Sequence, residues 1–287
     1  MLSILGIFLV ALIAIAYYTA SYIVNANVYT KEQSRYDYQE SDFSAYEILP
    51  FSMQNKEGNA LLGLHVKRAQ PRGLIILAHG FKTNHYFLSK QALLFLELGF
   101  DTLLYSHVHF NNYYSKKCGM GGYESDDLDE IVQLYRQQYE KVGTYGISMG
   151  GATVLLHSAK YGSADFCISE SAYASLRREL RFKFRRKLPG LGPLLLPLTR
   201  LFIRLLGGYD CNTLNVSKAL ISCDTPIMLI HGSFDPTVHI EDGLLLAKRA
   251  KNCKRLYICN GGKHTNCLAM HPQRYQEELA AFLAELG

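Results

Sequence analysis

Short apolar runs, each ended by Gly, Pro, Asp or Asn, alternate with stretches of helical spacing through most of this chain. Because these runs are continuous and do not alternate with polar residues, both faces of the strands must be covered by helices. The pattern predicts an α/β domain with a mostly parallel, doubly wound sheet, which binds ligands at the carboxyl ends of its strands. The predicted strands are 74–79, 102–105, 143–147, 166–168, 226–230 and 255–259, after a hairpin of 46–51 and 61–67.

The helical stretches between these strands complete one domain over residues 45–287. The predicted helices are 89–98, 125–139, 149–161, 240–251 and 272–286. A chain of 287 residues with no internal repeat and no Gly/Ser-rich linker favours one large domain over two. The segment 172–220 is too long for an ordinary connection between a strand and a helix, and we expect it to form an inserted helical cap.

The first thirty residues contain no Lys, Arg, Asp or Glu. Leu2–Val24 is an apolar run of membrane-spanning length, which predicts a transmembrane signal-anchor over 1–25 and a linker over 26–44. A cleaved signal peptide, with Ala14-Ile-Ala16 as its cleavage site, is the alternative. The prediction is a protein held in the membrane by a single N-terminal helix.

The net charge of +5 is unevenly spread, because one short stretch of the predicted cap carries +6 and the rest of the chain is close to neutral. Lys31 and Arg35 follow the predicted span, which favours a cytoplasmic domain against the usual orientation of signal-anchors, so the side of the membrane stays open. In the cap, 177–187 carries seven basic residues and one acidic residue beside a leucine-rich stretch. This cluster either holds the cap on anionic lipid or is the solvated face of a lid. No nucleic-acid-binding motif accompanies it, so nucleic acid is not an expected partner.

The pentapeptide Gly146-Ile-Ser148-Met-Gly150 lies where a predicted strand turns into a predicted helix. This is the context of a nucleophile elbow, in which a strained serine backbone brings strand and helix too close for side chains at the glycine positions. The sequence therefore predicts that Ser148 is a nucleophile.

A serine hydroxyl needs a neighbouring imidazole to remove its proton, and that imidazole needs a carboxylate to fix its tautomer. Asp235 and His264 each follow a predicted strand, as Ser148 does, so all three are expected at one edge of the sheet. They form the predicted catalytic triad. The oxyanion that forms on the substrate needs oriented N–H donors, which we expect from the backbones of Met149 and Phe81.

Five stretches of this chain together resemble the α/β-hydrolase superfamily, and within it the prolyl-oligopeptidase-like and serine-aminopeptidase-like group. The matching stretches are His79-Gly-Phe, Gly119-Met-Gly-Gly-Tyr-Glu-Ser-Asp-Asp-Leu, Gly146-Ile-Ser-Met-Gly-Gly, His231-Gly-Ser-Phe-Asp-Pro-Thr-Val and Gly261-Gly-Lys-His. The resemblance implies the α/β-hydrolase fold over residues 45–287, the same triad and the same oxyanion donors. His79 is expected to brace its loop by hydrogen bonding.

The chain departs from its relatives after the fourth strand, where they often carry an Asp-x-Arg-Gly-x-Gly-x-Ser loop. Here His107 and His109 stand in a sequence rich in Tyr and Asn, and a metal site there would lack a third ligand at recognisable spacing. The seven cysteines are odd in number and form no CxxC pair, so most are expected to be reduced.

The residues and the resemblance predict a membrane-tethered serine hydrolase that cleaves an ester or amide bond through an acyl-enzyme on Ser148 and needs no cofactor. The leucine-rich cap and the anchor favour a carboxylesterase or lipase-like activity. Three alternatives stay open: a peptidase of the serine-aminopeptidase type, a noncatalytic membrane-tethered binding module with the same fold, and an enzyme that transfers the acyl group to an acceptor other than water. The expected partners are a small-molecule or peptide acyl substrate and membrane lipid around the N-terminal helix.

Overall fold

The computed structural model describes residues 2–26, 38–108 and 117–287, and its centre is an eight-stranded sheet in the order β1-β2-β4-β3-β5-β6-β7-β8. β2 pairs antiparallel with β1 and β4, and all other neighbouring strands are parallel. The mostly parallel sheet is therefore confirmed. The strands are β1 Glu47–Gln54, β2 Ala60–Lys67, β3 Leu74–Ala78, β4 Asp101–Ser106, β5 Val142–Ile147, β6 Phe166–Glu170, β7 Ile227–Gly232 and β8 Cys253–Cys259.

Helices cover both faces of this sheet, as the continuous apolar strands predict. The helices are α1 Leu2–Val24, α2 Ser89–Glu97, α3 Gly122–Arg136, α4 Met149–Lys160, α5 Leu176–Lys187, α6 Gly192–Gly207, α7 Val216–Ala219, α8 Ile240–Arg249, α9 Cys267–Met270 and α10 Pro272–Ala284. β3 shows how the two cores are separated: Leu74 and Ile76 join the core on one face, and Ile75 and Leu77 join the core on the other. All seven cysteines are free thiols.

The start of α3 differs from the sequence-based prediction by three residues. The helix begins at Gly122 because the buried side chain of Glu124 accepts hydrogen bonds from the N–H groups of Gly119 at 2.8 Å and Gly121 at 2.7 Å. These two bonds satisfy backbone donors just before the first turn, and the carboxylate lies at the positive end of the helix. Apolar spacing alone predicts a start at 125, because it contains no information on hydrogen bonds between a polar side chain and the backbone.

The predicted cap consists mainly of α5 and α6, and α6 packs against the N-terminal helix. Ile4–Val24 of α1 is the one stretch among the described residues that is long and apolar enough to cross a membrane, although a signal sequence would share this property. From Leu12 onward, one face of α1 is buried in the same core as α6. The division into anchor, linker and domain stays a prediction, and residues 27–37 of the linker lie outside the described residues.

A buried carboxylate lies at the end of β6, beneath the turn that carries Ser148. Glu170 is fully buried and accepts hydrogen bonds from the hydroxyls of Tyr145 at 2.9 Å and Tyr275 at 2.7 Å. Burial raises the pKa of Glu170 above its ordinary 4.5, because desolvation outweighs the hydrogen bonds from Tyr275, Tyr145 and the Cys267 backbone. Glu170 thus binds its proton more tightly in the folded chain than in the unfolded chain.

Replacement of this carboxylate should change how stability depends on pH. The stabilisation from protonated Glu170 is complete below pH 4.5 and is lost as pH rises through the higher pKa of the folded state. We expect wild type to lose stability relative to Glu170→Gln as pH rises above 4.5, by at most about 1.4 kcal/mol per pH unit. Chemical unfolding of both proteins across this range measures the difference. A difference that does not change with pH would contradict the assignment.

Candidate active site

Ser148 occupies the turn between the last residue of β5 and the first residue of α4. Its backbone has φ +56° and ψ −115°, a conformation that strains a residue with a side chain. Two backbone hydrogen bonds hold it there: its N–H donates to the backbone carbonyl of Glu170 at 2.8 Å, and its own carbonyl accepts from the N–H of Ala152 at 3.0 Å. The strain presents the hydroxyl at the carboxyl edge of the sheet, where the sequence analysis places the nucleophile.

The glycines of the pentapeptide allow this turn because backbones approach them closely. A methyl group on Gly146 would lie 2.1 Å from the carbonyl oxygen of Gly150, and one on Gly150 would lie 2.0 Å from that of Ala78. Contacts of this length are far inside van der Waals distance. Glycine at both positions therefore fixes how closely α4 approaches β3 and β5.

The structure brings the three predicted triad residues together. The Ser148 hydroxyl donates to Nε2 of His264 over 2.9 Å, and Nδ1–H of His264 donates to Oδ2 of Asp235 over 2.7 Å. Asp235 follows β7 and His264 follows β8, so both come from loops at the same edge of the sheet. The second oxygen of Asp235 accepts from the N–H groups of Thr237 at 2.8 Å and Val238 at 2.9 Å. The position of the Asp235 carboxylate is thus fixed by backbone groups as well as by the histidine.

The surroundings of Asp235 keep it ionised. Burial acts to raise its pKa, but the hydrogen bond and charge of His264, with the N–H groups of Thr237 and Val238, outweigh burial and lower the pKa below 3.8. Sequence reasoning missed His231, whose Nε2–H donates to the Val238 carbonyl at 3.0 Å and lies 3.7 Å from Asp235. Its position in the His231-Gly-Ser-Phe-Asp stretch, four residues before the acid, was the available signal.

The two predicted oxyanion donors lie next to the nucleophile. Met149 is the first residue of α4, where a helix leaves its N–H groups unpaired. Gly80, before Phe81, lies so close that a methyl group on it would be 3.5 Å from Cβ of Ser148. Neither the N–H of Phe81 nor that of Met149 has a hydrogen-bond acceptor among the described residues. Both can therefore donate a hydrogen bond to an oxyanion of the substrate.

The loop of Phe81 is held by its neighbours. The Gly80 carbonyl accepts from Nδ1–H of His79 at 2.8 Å and from the hydroxyl of Thr83 at 3.0 Å. Because C=O and N–H point in opposite directions in a planar trans peptide, these bonds turn the N–H of Phe81 away from His79. Nε2 of His79 in turn accepts from the N–H of His107 at 3.1 Å. His79 therefore connects the loop of Phe81 to the end of β4 by hydrogen bonds, which is the bracing role expected for it.

His109, the other histidine of the metal alternative, lies outside the described residues. In the three stretches that the structure describes, no group of three or more His, Cys, Asp or Glu residues is arranged to hold a metal ion.

The C-terminal end of α1 reaches the same loop, and no motif or spacing in the sequence indicates this contact. The ring of Tyr22 packs edge-on against the ring of Phe81 with 5.8 Å between centroids, and the Lys82 ammonium lies 3.5 Å from the Tyr22 ring centroid. Nearby, the N–H of Cys118 donates to the Val24 carbonyl at 2.9 Å. The predicted membrane helix is thus a neighbour of the candidate oxyanion hole.

The cap helix α5 lies over the acid side of the site. The guanidinium of Arg178 donates to Asp242 of α8 at 2.7 Å, and Arg186 donates to the carbonyl of Pro236, the residue after Asp235. The Ser148 side is less covered, since the serine is half-buried and the His264 side chain keeps 20% of its surface exposed. The serine and the histidine therefore both keep part of their surfaces accessible.

By sequence, this chain is similar to a bacterial protein over most of its length. No protein-family model matches the chain. YqkD of Bacillus subtilis (strain 168), an uncharacterized protein, is 28% identical over 252 residues, which are 85% of this chain and 82% of that protein.

Solved structures of other proteins share the fold of this chain. An esterase from Pyrococcus furiosus matches with a TM-score of 0.69 at 20% identity, over 88% of this chain and 96% of that chain. The α/β hydrolase GrgF from Penicillium sp. sh18 matches with 0.63 at 17% identity, over 83% and 98%. The esterase domain of a Rhodothermus marinus protein matches with 0.59 at 17% identity, over 84% and 100%. The chain has the α/β-hydrolase fold, as the sequence resemblance implies, and the narrower subgroup stays a prediction.

The close approach at Gly150 can be tested directly. Gly150→Ala should lower the free energy of unfolding by about 3 kcal/mol, because a backbone oxygen cannot move away as a side chain can. Gly192→Ala in α6 is the matched control, since its added methyl would meet Cβ of Phe184 at an ordinary 3.5 Å. Urea unfolding in detergent measures both. Equal stabilities of the two variants would show that the turn is not fixed in this way.

Proposed function

We propose that this protein is a serine hydrolase that cleaves acyl esters through an acyl-enzyme on Ser148. The observation that carries the proposal is the unbroken chain of hydrogen bonds from the serine hydroxyl through His264 to the buried Asp235. A low-pKa carboxylate that is already fixed by backbone N–H groups is suited to hold an imidazole in one tautomer. The esterases among the structural neighbours support the same reaction class.

In the first half of the proposed reaction, the oxygen of Ser148 attacks the carbonyl carbon of the ester. Its proton passes to Nε2 of His264, and the imidazolium that forms is stabilised by the carboxylate of Asp235. The carbonyl oxygen becomes an oxyanion, which accepts hydrogen bonds from the N–H groups of Phe81 and Met149. The C–O bond to the alcohol then breaks, and His264 returns the proton to the alcohol as it leaves.

The second half repeats these roles with water. His264 removes a proton from a water molecule, whose oxygen attacks the acyl carbon on Ser148. The same two N–H groups stabilise the second oxyanion. Collapse of this intermediate breaks the bond to the serine oxygen, which regains its proton from His264, and the carboxylic acid leaves. Every proton is returned, so the residues named here complete the cycle.

A fluorophosphonate probe tests whether Ser148 is a nucleophile. We expect the probe to label the wild-type protein covalently and to leave Ser148→Ala unlabelled, because only an activated serine attacks phosphorus at a useful rate. Intact-protein mass spectrometry shows the adduct. Absence of labelling in a folded wild-type protein would favour the noncatalytic binding module.

The same pair of proteins separates the ester from the peptide alternative. We expect wild type to hydrolyse p-nitrophenyl esters with a preference for certain chain lengths, and aminoacyl-nitroanilides much more slowly. Ser148→Ala should be inactive on both substrates. Faster release from the nitroanilides would replace the esterase proposal by the peptidase one.

The role of the buried acid predicts the effect of Asp235→Asn. Its amide would favour the wrong imidazole tautomer, and kcat should fall by about 10⁴, the size of effect known for this exchange in serine proteases. Asp224→Asn is the matched control, because Asp224 is 80% exposed and pairs only with Lys251 among the described residues. Ester hydrolysis at saturating substrate measures both variants. A loss of less than about tenfold in Asp235→Asn would argue against the triad.

A further inference from the structure

The two faces of α1 meet different surroundings. Leu12, Ala16 and Ala20 form a stripe at helical spacing that is buried against the rest of the protein. The side chains of the opposite face are large, apolar and exposed, and from Ile4 to Val10 no side chain is covered. The exposed residues include Ile4, Leu5, Ile7, Phe8, Leu9, Val10, Ile13, Tyr17, Tyr18 and Tyr22. A continuous apolar surface of this length marks contact with lipid or with another protein.

The cap helix α6 extends this apolar surface. It lies beside α1, where Tyr17 and Phe202 pack edge-on with 5.5 Å between ring centroids. Its inner face is buried, whereas Leu194, Leu201 and Leu205 point outward with 49%, 51% and 68% of their surfaces exposed. Single exposed leucines are common on protein surfaces, but these three follow one helical face next to an exposed apolar helix.

The position of the candidate active site along α1 follows from the contact of Tyr22. A helix of 23 residues is about 34 Å long, but the domain covers one face of it from Leu12 onward, so only its first ten residues, about 15 Å, extend clear of the domain into the bilayer. Tyr17, Tyr18 and Tyr22 are the exposed aromatic residues of the part of α1 that lies beside α6, and tyrosine is enriched at the membrane–water interface. Because Tyr22 packs on Phe81, the candidate oxyanion hole lies at the same level.

The charge of the neighbouring cap helix is complementary to an anionic membrane surface. α5 carries seven basic side chains and one acidic side chain. Five of the exposed cations have no carboxylate within ion-pair distance among the described residues, namely Arg177, Arg181, Arg185, Arg186 and Lys187. Basic side chains beside an apolar helix face are typical of segments that bind anionic lipid headgroups.

We propose that the outer face of α6 and the C-terminal end of α1 lie in the interface of an anionic bilayer, and that the substrate is an acyl ester resident in that bilayer. The proposal rests on the hydrolase activity proposed above. The ester bond of such a lipid lies just below the headgroups, which is the depth that this placement gives to Phe81 and the loop beside Ser148. The lipid then reaches the serine without passing through water.

The depth of α6 can be measured directly, because the chain contains no tryptophan. Leu205→Trp places a single indole on the outer face of α6, and Leu134→Trp, in the last turn of α3 at the opposite edge of the sheet, is the matched control. The full-length chain is reconstituted in phosphatidylcholine and phosphatidylglycerol vesicles with brominated acyl chains. We expect bromine to quench about half or more of the emission at position 205 and little at position 134.

Two results would overturn the placement of α6. Emission at position 205 that is neither blue-shifted nor quenched would mean that the face is in water. Emission that is blue-shifted but not quenched would mean that a second protein copy covers it.

Activity tests the substrate class. Wild type in vesicles should hydrolyse a long-chain diacylglycerol in the same bilayer at least about tenfold faster than a short soluble p-nitrophenyl ester. In Leu201→Gln/Leu205→Gln, the ratio of these two rates should fall about tenfold, whereas Leu134→Gln should leave it unchanged. Fluorophosphonate labelling of Ser148 shows that each variant is folded.

Rapid hydrolysis of the soluble ester alone would overturn this inference and leave the proposed function intact. Hydrolysis of neither ester, with no labelling, would overturn both.

Discussion

The close approach of three backbones at the end of β5 is the constraint on which the candidate site depends. Gly150 lies against the Ala78 carbonyl of β3 so closely that not even a methyl group fits, and this contact fixes where α4 can start. With α4 in place, Ser148 has no relaxed conformation available and keeps its positive φ. The hydroxyl position is therefore set by the packing of a helix on a sheet, and the loops that carry Asp235 and His264 need only reach a fixed point.

Much of this arrangement could be predicted because it follows from local patterns. Continuous apolar runs predict parallel strands, and the carboxyl ends of parallel strands lie at one edge, so residues just after three of them converge there. Ser148, Asp235 and His264 were predicted to meet on this ground, and the structure places them within hydrogen-bonding distance. Helix boundaries were less accurate. The start of α3 depends on the side chain of Glu124, which binds amides outside the helix.

The remaining features depend on contacts between segments that are far apart in the chain. The hydroxyl of Tyr275 in α10 meets Glu170 of β6, and the ring of Tyr22 in α1 meets Phe81 after β3. Neither pair carries a spacing or a composition that a single sequence reveals. The orientation of the cap belongs to the same class, because hydrophobic periodicity shows that α6 has a buried face but not which helix covers it.

The burial of one face of α1 against α6 also affects the order in which this protein can fold. As a membrane anchor, α1 would leave the ribosome and enter lipid first, whereas α6 begins only at Gly192. The cap core would then close last, against a helix already held in the bilayer, and contacts so distant in sequence form slowly. During synthesis, the apolar face of α1 that α6 later covers would stay exposed at the membrane surface. Release of the chain into solvent before α6 is made would expose this apolar face and favour aggregation.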